Sequence, residues 1–209
     1  MNILIVSGSQ RSCANSLLVS KYLKAHFFDE KDDLKTTILD LSQYPSLLNH
    51  YFDNLNDDEL LNAKEEVLSL LYQSDGIVFV APEWGGMLPP ALVNLFLLTA
   101  NGSANGLPLG NKPAFAIGVS ASEGGSNVIV QLKSVTAKNS HLVWLPLHAV
   151  IRNVDQFLSA KWLPSNESRI TTVQHRLQTG LESLVIVARQ LQPVREQLNT
   201  LSKLNPFGQ

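Results

Sequence analysis

The chain has 209 residues, 44% hydrophobic and 16% charged, with a formal net charge of −2; that suits one domain over residues 1–209 with a sizeable core and excludes a disordered chain. No basic run is present and no apolar run reaches spanning length, which argues against nucleic acid or membrane as a partner. One cysteine, Cys13, rules out an internal disulfide framework, and the first residues lack the charged start of a secretory signal, so the expected location is cytoplasmic.

In chain order, "NILIVS" is a short continuous apolar run, as expected of a strand buried on both faces. Asn15 or Ser16 caps a predicted helix through about Phe28, with Leu17, Leu18, Tyr22, Leu23 and His26 or Phe27 at helical spacing. "LKTTILDL" reads as a second strand, and a polar loop with Pro45 follows it. "DDELLNAKEEVLSLLYQS" has an acidic start and a stripe of Leu60, Leu61, Val67, Leu68 and Leu71, which argues an amphipathic helix. "GIVFVA" is a third strand and "PPALVNLFLLTA" a helix opened by proline. "KPAFAIGVS" is a fourth strand, followed by a helix near "SNVIVQLKSVTAKN". "HLVWLPLHAV" is a fifth, where Pro146 suggests an edge or a bend. Ser168 to about Leu191 reads as a long helix, with a continuation after Pro193.

Strands alternating with helices imply an α/β fold, a parallel sheet covered on both faces. Ligands of such sheets bind beyond the carboxyl ends of the strands, where strand order reverses. The loops leaving the first, third and fourth strands are "GSQRSCANS", "APEWGGMLPP" and "SASEGGSN", all rich in glycine and polar groups. The first enters a helix, so it offers unpaired backbone N–H groups and the positive end of a helix dipole. Ser9, Ser12 and Ser16 add hydroxyls, Asn15 an amide and Arg11 a cationic fork, a set that suits a phosphate monoester. The lysine-bearing nucleotide loop is absent, and a single Gly8 stands where a dinucleotide turn needs three glycines. Asp40, which closes the second strand, is therefore read as structural.

At these residues the sequence resembles the NAD(P)H-dependent FMN reductases of the flavodoxin-like fold. The family pattern G-S-x-R-x-x-S-x-S is similar to Gly8-Ser9-Gln10-Arg11 through Ala14-Asn15-Ser16. Its P-E-Y-N-x-x-x-P-x-x-L-K-N segment is similar to Pro82-Glu83-Trp84-Gly85-Gly86-Met87-Leu88-Pro89-Pro90-Ala91-Leu92-Val93-Asn94. Its K-P segment, ending in a glycine pair, is similar to Lys112-Pro113 with Ser120 and Gly124-Gly125. The resemblance covers roughly Met1 to Val150. It implies a flavodoxin-like, doubly wound five-stranded parallel sheet of order 2-1-3-4-5, with FMN at the switch point.

By that resemblance Ser9, Arg11, Asn15 and Ser16 would hold the FMN phosphate. Pro82, Glu83, Trp84 and Gly85 would run beside the ribityl chain and ring, and Ser120, Gly124 and Gly125 would border the ring's other side. NADPH or NADH would reduce the flavin, which would then reduce a quinone, a flavin or an azo compound. The protein's part would be positioning, with no side chain as general acid or base. A homodimer or homotetramer is expected on the same ground. The sequence departs from the pattern at Ala14, Trp84, Gly85 and Val93. Two alternatives stand beside this reading: a flavodoxin-like electron carrier and a flavin-free regulator that binds a phosphorylated ligand. Carriers of that kind are strongly acidic, unlike this chain.

Other chemistry finds little support. The five histidines show no metal-ligand spacing. His148 reads as a core or rim residue and Cys13 as a small buried hydrophobe.

Overall fold

The five apolar runs form five strands: β1 (Asn2–Ser7), β2 (Lys35–Asp40), β3 (Gly76–Pro82), β4 (Pro113–Val119) and β5 (Val143–Ile151). They belong to a computed structural model of the chain, which describes residues 1–29, 31–49, 58–100, 106–159 and 168–205. The strands pair in parallel in the order β2-β1-β3-β4-β5, as the resemblance implied. β4 is buried at every residue and β3 at all but Pro82, because helices cover both faces of the sheet.

Among the described residues the helices are α1 (Asn15–Leu23), α2 (Asp58–Gln73), α3 (Pro90–Leu98), α4 (Ser126–Thr136), α5 (Val154–Ser159), α6 (Ser168–Leu191) and α7 (Arg195–Ser202). On one face α2, α3 and α4 bring Val67, Leu71, Leu92, Leu95, Val128 and Leu132 onto Leu4, Val6, Phe79 and Ala116. On the other, α1, α5 and α6 bring Val19, Leu23, Phe157, Leu177 and Leu184 onto Ile3, Ile5, Val78, Val80 and Phe115. Alternate residues of one strand thus feed two separate cores, which is the two-residue period of a doubly covered strand.

Several elements differ from their sequence reading. α1 runs on through one π turn, Lys24–Phe28, so helix reaches Phe28 as expected, but its buried stripe is Ser16, Val19, Ser20, Leu23 and Phe27. Leu18 is 46% exposed. Ser20 joins the inner face because its hydroxyl donates to Ser16 O at 2.7 Å, so no polar group is left unsatisfied there. In α2, Leu61 turns outward while Leu60, Val67 and Leu71 are buried; Asp57, expected as its first residue, lies outside the described residues. Asp40 accepts from Ser42 N at 3.2 Å and Ser42 Oγ at 2.9 Å, capping a short 3-10 turn. α5 has no counterpart in the sequence reading. After α6 a 3-10 turn at Gln192–Val194 leads into α7, the continuation expected beyond Pro193.

Candidate functional site

The strand order reverses between β1 and β3, so the loops that leave these strands open into one crevice. Ser7, the last residue of β1, is in register with Asp40 and Val80. Gly8 leaves β1 against its neighbours: its N–H donates to Val80 O at 2.9 Å, and a Cβ here would lie 2.7 Å from Leu92 Cγ. A side chain at Gly8 would push the first loop off α3.

Beyond Gly8 the loop collects donors. Ser9 is buried, and its Oγ accepts from Arg11 N at 3.1 Å. From Ser9 to Ser16 no other backbone N–H has an acceptor among the described residues, and the α1 N-cap, Ala14, offers no side-chain cap. A turn of unfilled N–H groups at a helix start suits a doubly charged phosphate group. Asn15 Nδ2 reaches Asp155 Oδ1 on α5 at 3.4 Å. Two expectations are corrected here. Ser16 is fully buried, with its Oγ 3.1 Å from Ser7 Oγ, so that hydroxyl faces the sheet and only its N–H belongs to the turn. Cys13 is exposed rather than buried, because its φ of 54° places it in the left-handed bend of the loop.

The second loop is a tight hairpin. Trp84 and Met87 exchange backbone bonds, Trp84 N to Met87 O at 3.0 Å and Met87 N to Trp84 O at 3.1 Å. Gly85 (φ 58°) and Gly86 (φ 80°) fill the turn between them, the two-residue form that needs positive φ at both centres. Glycine and asparagine are the residues that adopt this conformation most easily, so the departure at Gly85 preserves the backbone. Gln131 of α4 holds the hairpin from behind, its Oε1 accepting from Leu88 N at 3.0 Å and its Nε2 donating to Gly86 O at 2.7 Å. Trp84 is half-buried rather than a core residue, and the Arg11 guanidinium lies 5.8 Å from its ring centre. That cation–π contact ties the first loop to the second.

The third loop is held by the second. Glu83 N donates to Val119 O at 2.8 Å, and the Glu83 carboxylate accepts the backbone N–H of Gly125. Gly125 has a φ of 94° and caps α4, and a Cβ on it would lie 2.9 Å from Val150 Cγ1. A Cβ on Gly124 would lie 2.8 Å from Glu83 Cδ. The Gly125 N–H is thus taken by Glu83 and is not free to meet a ring that the pair would border. Ser120 turns its hydroxyl to Ser122 N at 3.2 Å.

Together the loops enclose a cleft of about 150 Å³. Ser9, Arg11, Asn15, Pro82, Glu83 and Trp84 line it, six of the residues singled out from the sequence. Gly85, at the hairpin tip, and Ser16, Ser120, Gly124 and Gly125, behind it, support these walls. Lys112, matched in the third motif, is not here at all: it precedes β4 at the opposite end of the sheet. Sequence reading missed Ala121 and Val154 on the cleft wall, as well as Asp155 and Gln131. Nothing in one sequence links Gln131 to Leu88, 43 residues away. Asp155, in the first turn of α5, could have been found from its acidic helix start.

Comparison with known proteins follows the same outline. The family model described as NADPH-dependent FMN reductase matches residues 1–156. Among solved structures, an oxidoreductase from Corynebacterium diphtheriae aligns with a TM-score of 0.63 at 16% identity, over 90% of this chain and 97% of that one. FerB from Paracoccus denitrificans, a flavoenzyme NAD(P)H:(acceptor) oxidoreductase, aligns with a TM-score of 0.59 at 17% identity, over 90% and 97%. The NADH:FMN oxidoreductase EMOB aligns with a TM-score of 0.64 at 15% identity, over 88% and 87%. At these identities the structures establish the fold. No curated protein matches the sequence.

Proposed function

The chain belongs to the NADPH-dependent FMN reductase family, and we propose that its cleft holds FMN with the phosphate in the turn from Ser9 to Ser16. It is an FMN-dependent NAD(P)H oxidoreductase. The observation that carries the placement is the row of N–H groups left without acceptors between Ser9 and Ser16, beside an Arg11 that has no ion pair among the described residues. Bound FMN supplies two-electron transfer between a reduced nicotinamide, NADPH or NADH, and a small acceptor such as a quinone, a flavin or an azo compound.

The chain's own residues bind and orient. Backbone N–H groups, the Ser9 hydroxyl and Asn15 would take the phosphate, with Arg11 reaching it from the rim beside Trp84. Pro82, Glu83 and Trp84 wall the ribityl side, and the Gly85–Gly86 turn fixes the direction of Trp84. Ser120, Gly124 and Gly125 form the opposite wall through the Glu83 clamp. The enclosed volume of about 150 Å³ is small beside the roughly 300–1,000 Å³ of small-molecule sites, so these walls would leave a flavin ring open at the rim to both reductant and acceptor. No side chain is required as general acid or base.

A second copy of the chain covers part of that rim in this reading, as a homodimer or homotetramer. Its support is apolar surface beside the cleft: Met87 on the hairpin is 61% exposed and Val130 on α4 68%, with Val93 and Leu97 exposed on the neighbouring α3. A reducing, cytoplasmic compartment suits a chain whose one cysteine is exposed.

The test is a titration of the purified chain with FMN and with riboflavin, followed by anaerobic NADPH and a quinone. FMN should bind more tightly than riboflavin, NADPH should bleach it, and initial rates should give the parallel double-reciprocal lines of a ping-pong route. Equal affinity for the two flavins would remove the phosphate assignment. Intersecting lines would remove the shared face.

A further inference from the structure

At the end of the sheet opposite these loops, Lys112 is only 3% exposed. Its Nζ donates to Leu71 O and, at 2.9 Å, to Tyr72 O, carbonyls of the last turn of α2. An ammonium has three donors, so one remains without an acceptor among the described residues. Beside it Arg195 of α7 pairs with Asp75, Nη1 to Oδ1 at 2.9 Å and Nη2 to Asp75 O at 2.9 Å. The other carboxylate oxygen of Asp75 takes Asn2 N at 2.8 Å. Arg195 Nε is buried with no acceptor among the described residues. Two cations, the buried Lys112 and the nearly buried Arg195, thus stand beside one buried carboxylate, each of whose oxygens already holds a hydrogen bond.

Burial first, and Arg195 second, pull Lys112 down to about 7, against the opposing pull of Asp75 and Glu196. A cleft of about 490 Å³ lies against Lys112 and Arg195, with Glu196, Asn199 and Lys203 of the C-terminal segment on its wall. Glu196, on an exposed part of α7, and Asp75 both act on Lys112, and Lys203 brings a third cation to the wall beside Lys112 and Arg195.

We propose that this cleft binds a small oxyanion, a phosphate or carboxylate group, held by Lys112 within and Lys203 at the rim. Burial still penalises the Lys112 ammonium, and an anion beside it recovers part of that cost while meeting the spare donor. β4 separates the two clefts by its whole length, about 20 Å at 3.3 Å per residue, so the anion site is not part of the flavin cleft and does not rest on the flavin reading.

The experiment is calorimetric titration of inorganic phosphate, and separately succinate, into the FMN-saturated chain at constant ionic strength and below pH 7, where Lys112 keeps its proton. FMN is added to compete for the phosphate turn, and the substitutions below tie the remaining binding to the second cleft. Saturable binding of phosphate alone identifies a phosphate site, and of succinate alone a carboxylate site. Lys112→Met should weaken it by about tenfold or more, as loss of a charge-assisted partner does, and Lys203→Ala by about threefold. If Lys112→Met fails to fold by circular dichroism, Asn199→Asp, which adds a negative charge to the wall, takes its place and should weaken binding in the same way. Heats no larger than those of sodium chloride, or binding indifferent to these substitutions, would overturn the proposal.

Discussion

The Glu83 carboxylate, just past β3, accepts the backbone N–H of Gly125 at the start of α4. One charge-assisted bond therefore sets the spacing of two loops that border the cleft. Gly124 packs on the same carboxylate, so neither glycine can gain a side chain without moving Glu83 or Val150.

Gly125→Ala is predicted to cost about 1–3 kcal/mol of stability, because its φ of 94° disfavours any side chain. Its N–H is already engaged, so FMN affinity of the folded mutant should change by less than about threefold. Glu83→Ala should do the reverse, weakening FMN more than it lowers the melting temperature, while Glu83→Gln retains an acceptor and most of the affinity. A thermal melt beside an FMN titration for each variant decides it. Normal FMN affinity in Glu83→Ala would show that the clamp is irrelevant to the cleft.

Arg11→Ala is predicted to weaken FMN by about 3- to 10-fold, the lower part of the range for a charge-assisted contact, since Arg11 is exposed to solvent. Riboflavin affinity should not move. A loss shared equally by both flavins would place Arg11 on the ring instead of the phosphate.

The hairpin gives a purely conformational test. Apart from its chain neighbours, nothing described lies within 4 Å of a Cβ built on Gly85, so its φ of 58° is what restricts the residue. Gly85→Asn should stay within about 0.5 kcal/mol of the parent, whereas Gly85→Val should cost about 1–3 kcal/mol. Equal melting temperatures for the two variants would contradict the turn assignment.

Lys112 makes stability depend on pH. It titrates near 7 in the fold and at 10.5 as a free side chain. Between those values the unfolded chain holds a proton that the fold has released, so stability rises with pH, by up to about 1.4 kcal/mol per pH unit. Below pH 7 the penalty of the buried ammonium is present in full. Urea melts across that window should show a rise that Lys112→Met lacks. Parallel profiles for the two proteins would refute the assignment.

The sheet was legible because its strands are unbroken apolar runs between glycine and polar loops, a pattern that follows from cover on both faces. The location of the cleft followed from the strand order the resemblance implied. Side-chain direction did not follow. Ser16 sits among hydroxyls that look alike in sequence, yet its neighbour across the turn is Ser7, which a linear reading does not place. Leu18 looks as apolar as Val19, but it lies on the outer side of α1, where no described element covers it. Lys112 matched a motif at the correct spacing and still lies at the far end of β4, because the motif spans the full strand from one end to the other.

The bend in β5 bears on how the protein keeps to itself. Trp144 pairs with Ala114 and His148 with Ala116, so four steps along β5 match two along β4, with Pro146 in the excess. Pro146 has no N–H to donate, and the extra residues swing the strand out of the regular pleat. β5 is also the last strand of the sheet. An incoming extended segment would find its hydrogen-bonding row interrupted midway, and fibrillar, edge-to-edge growth of the sheet is blocked at that border.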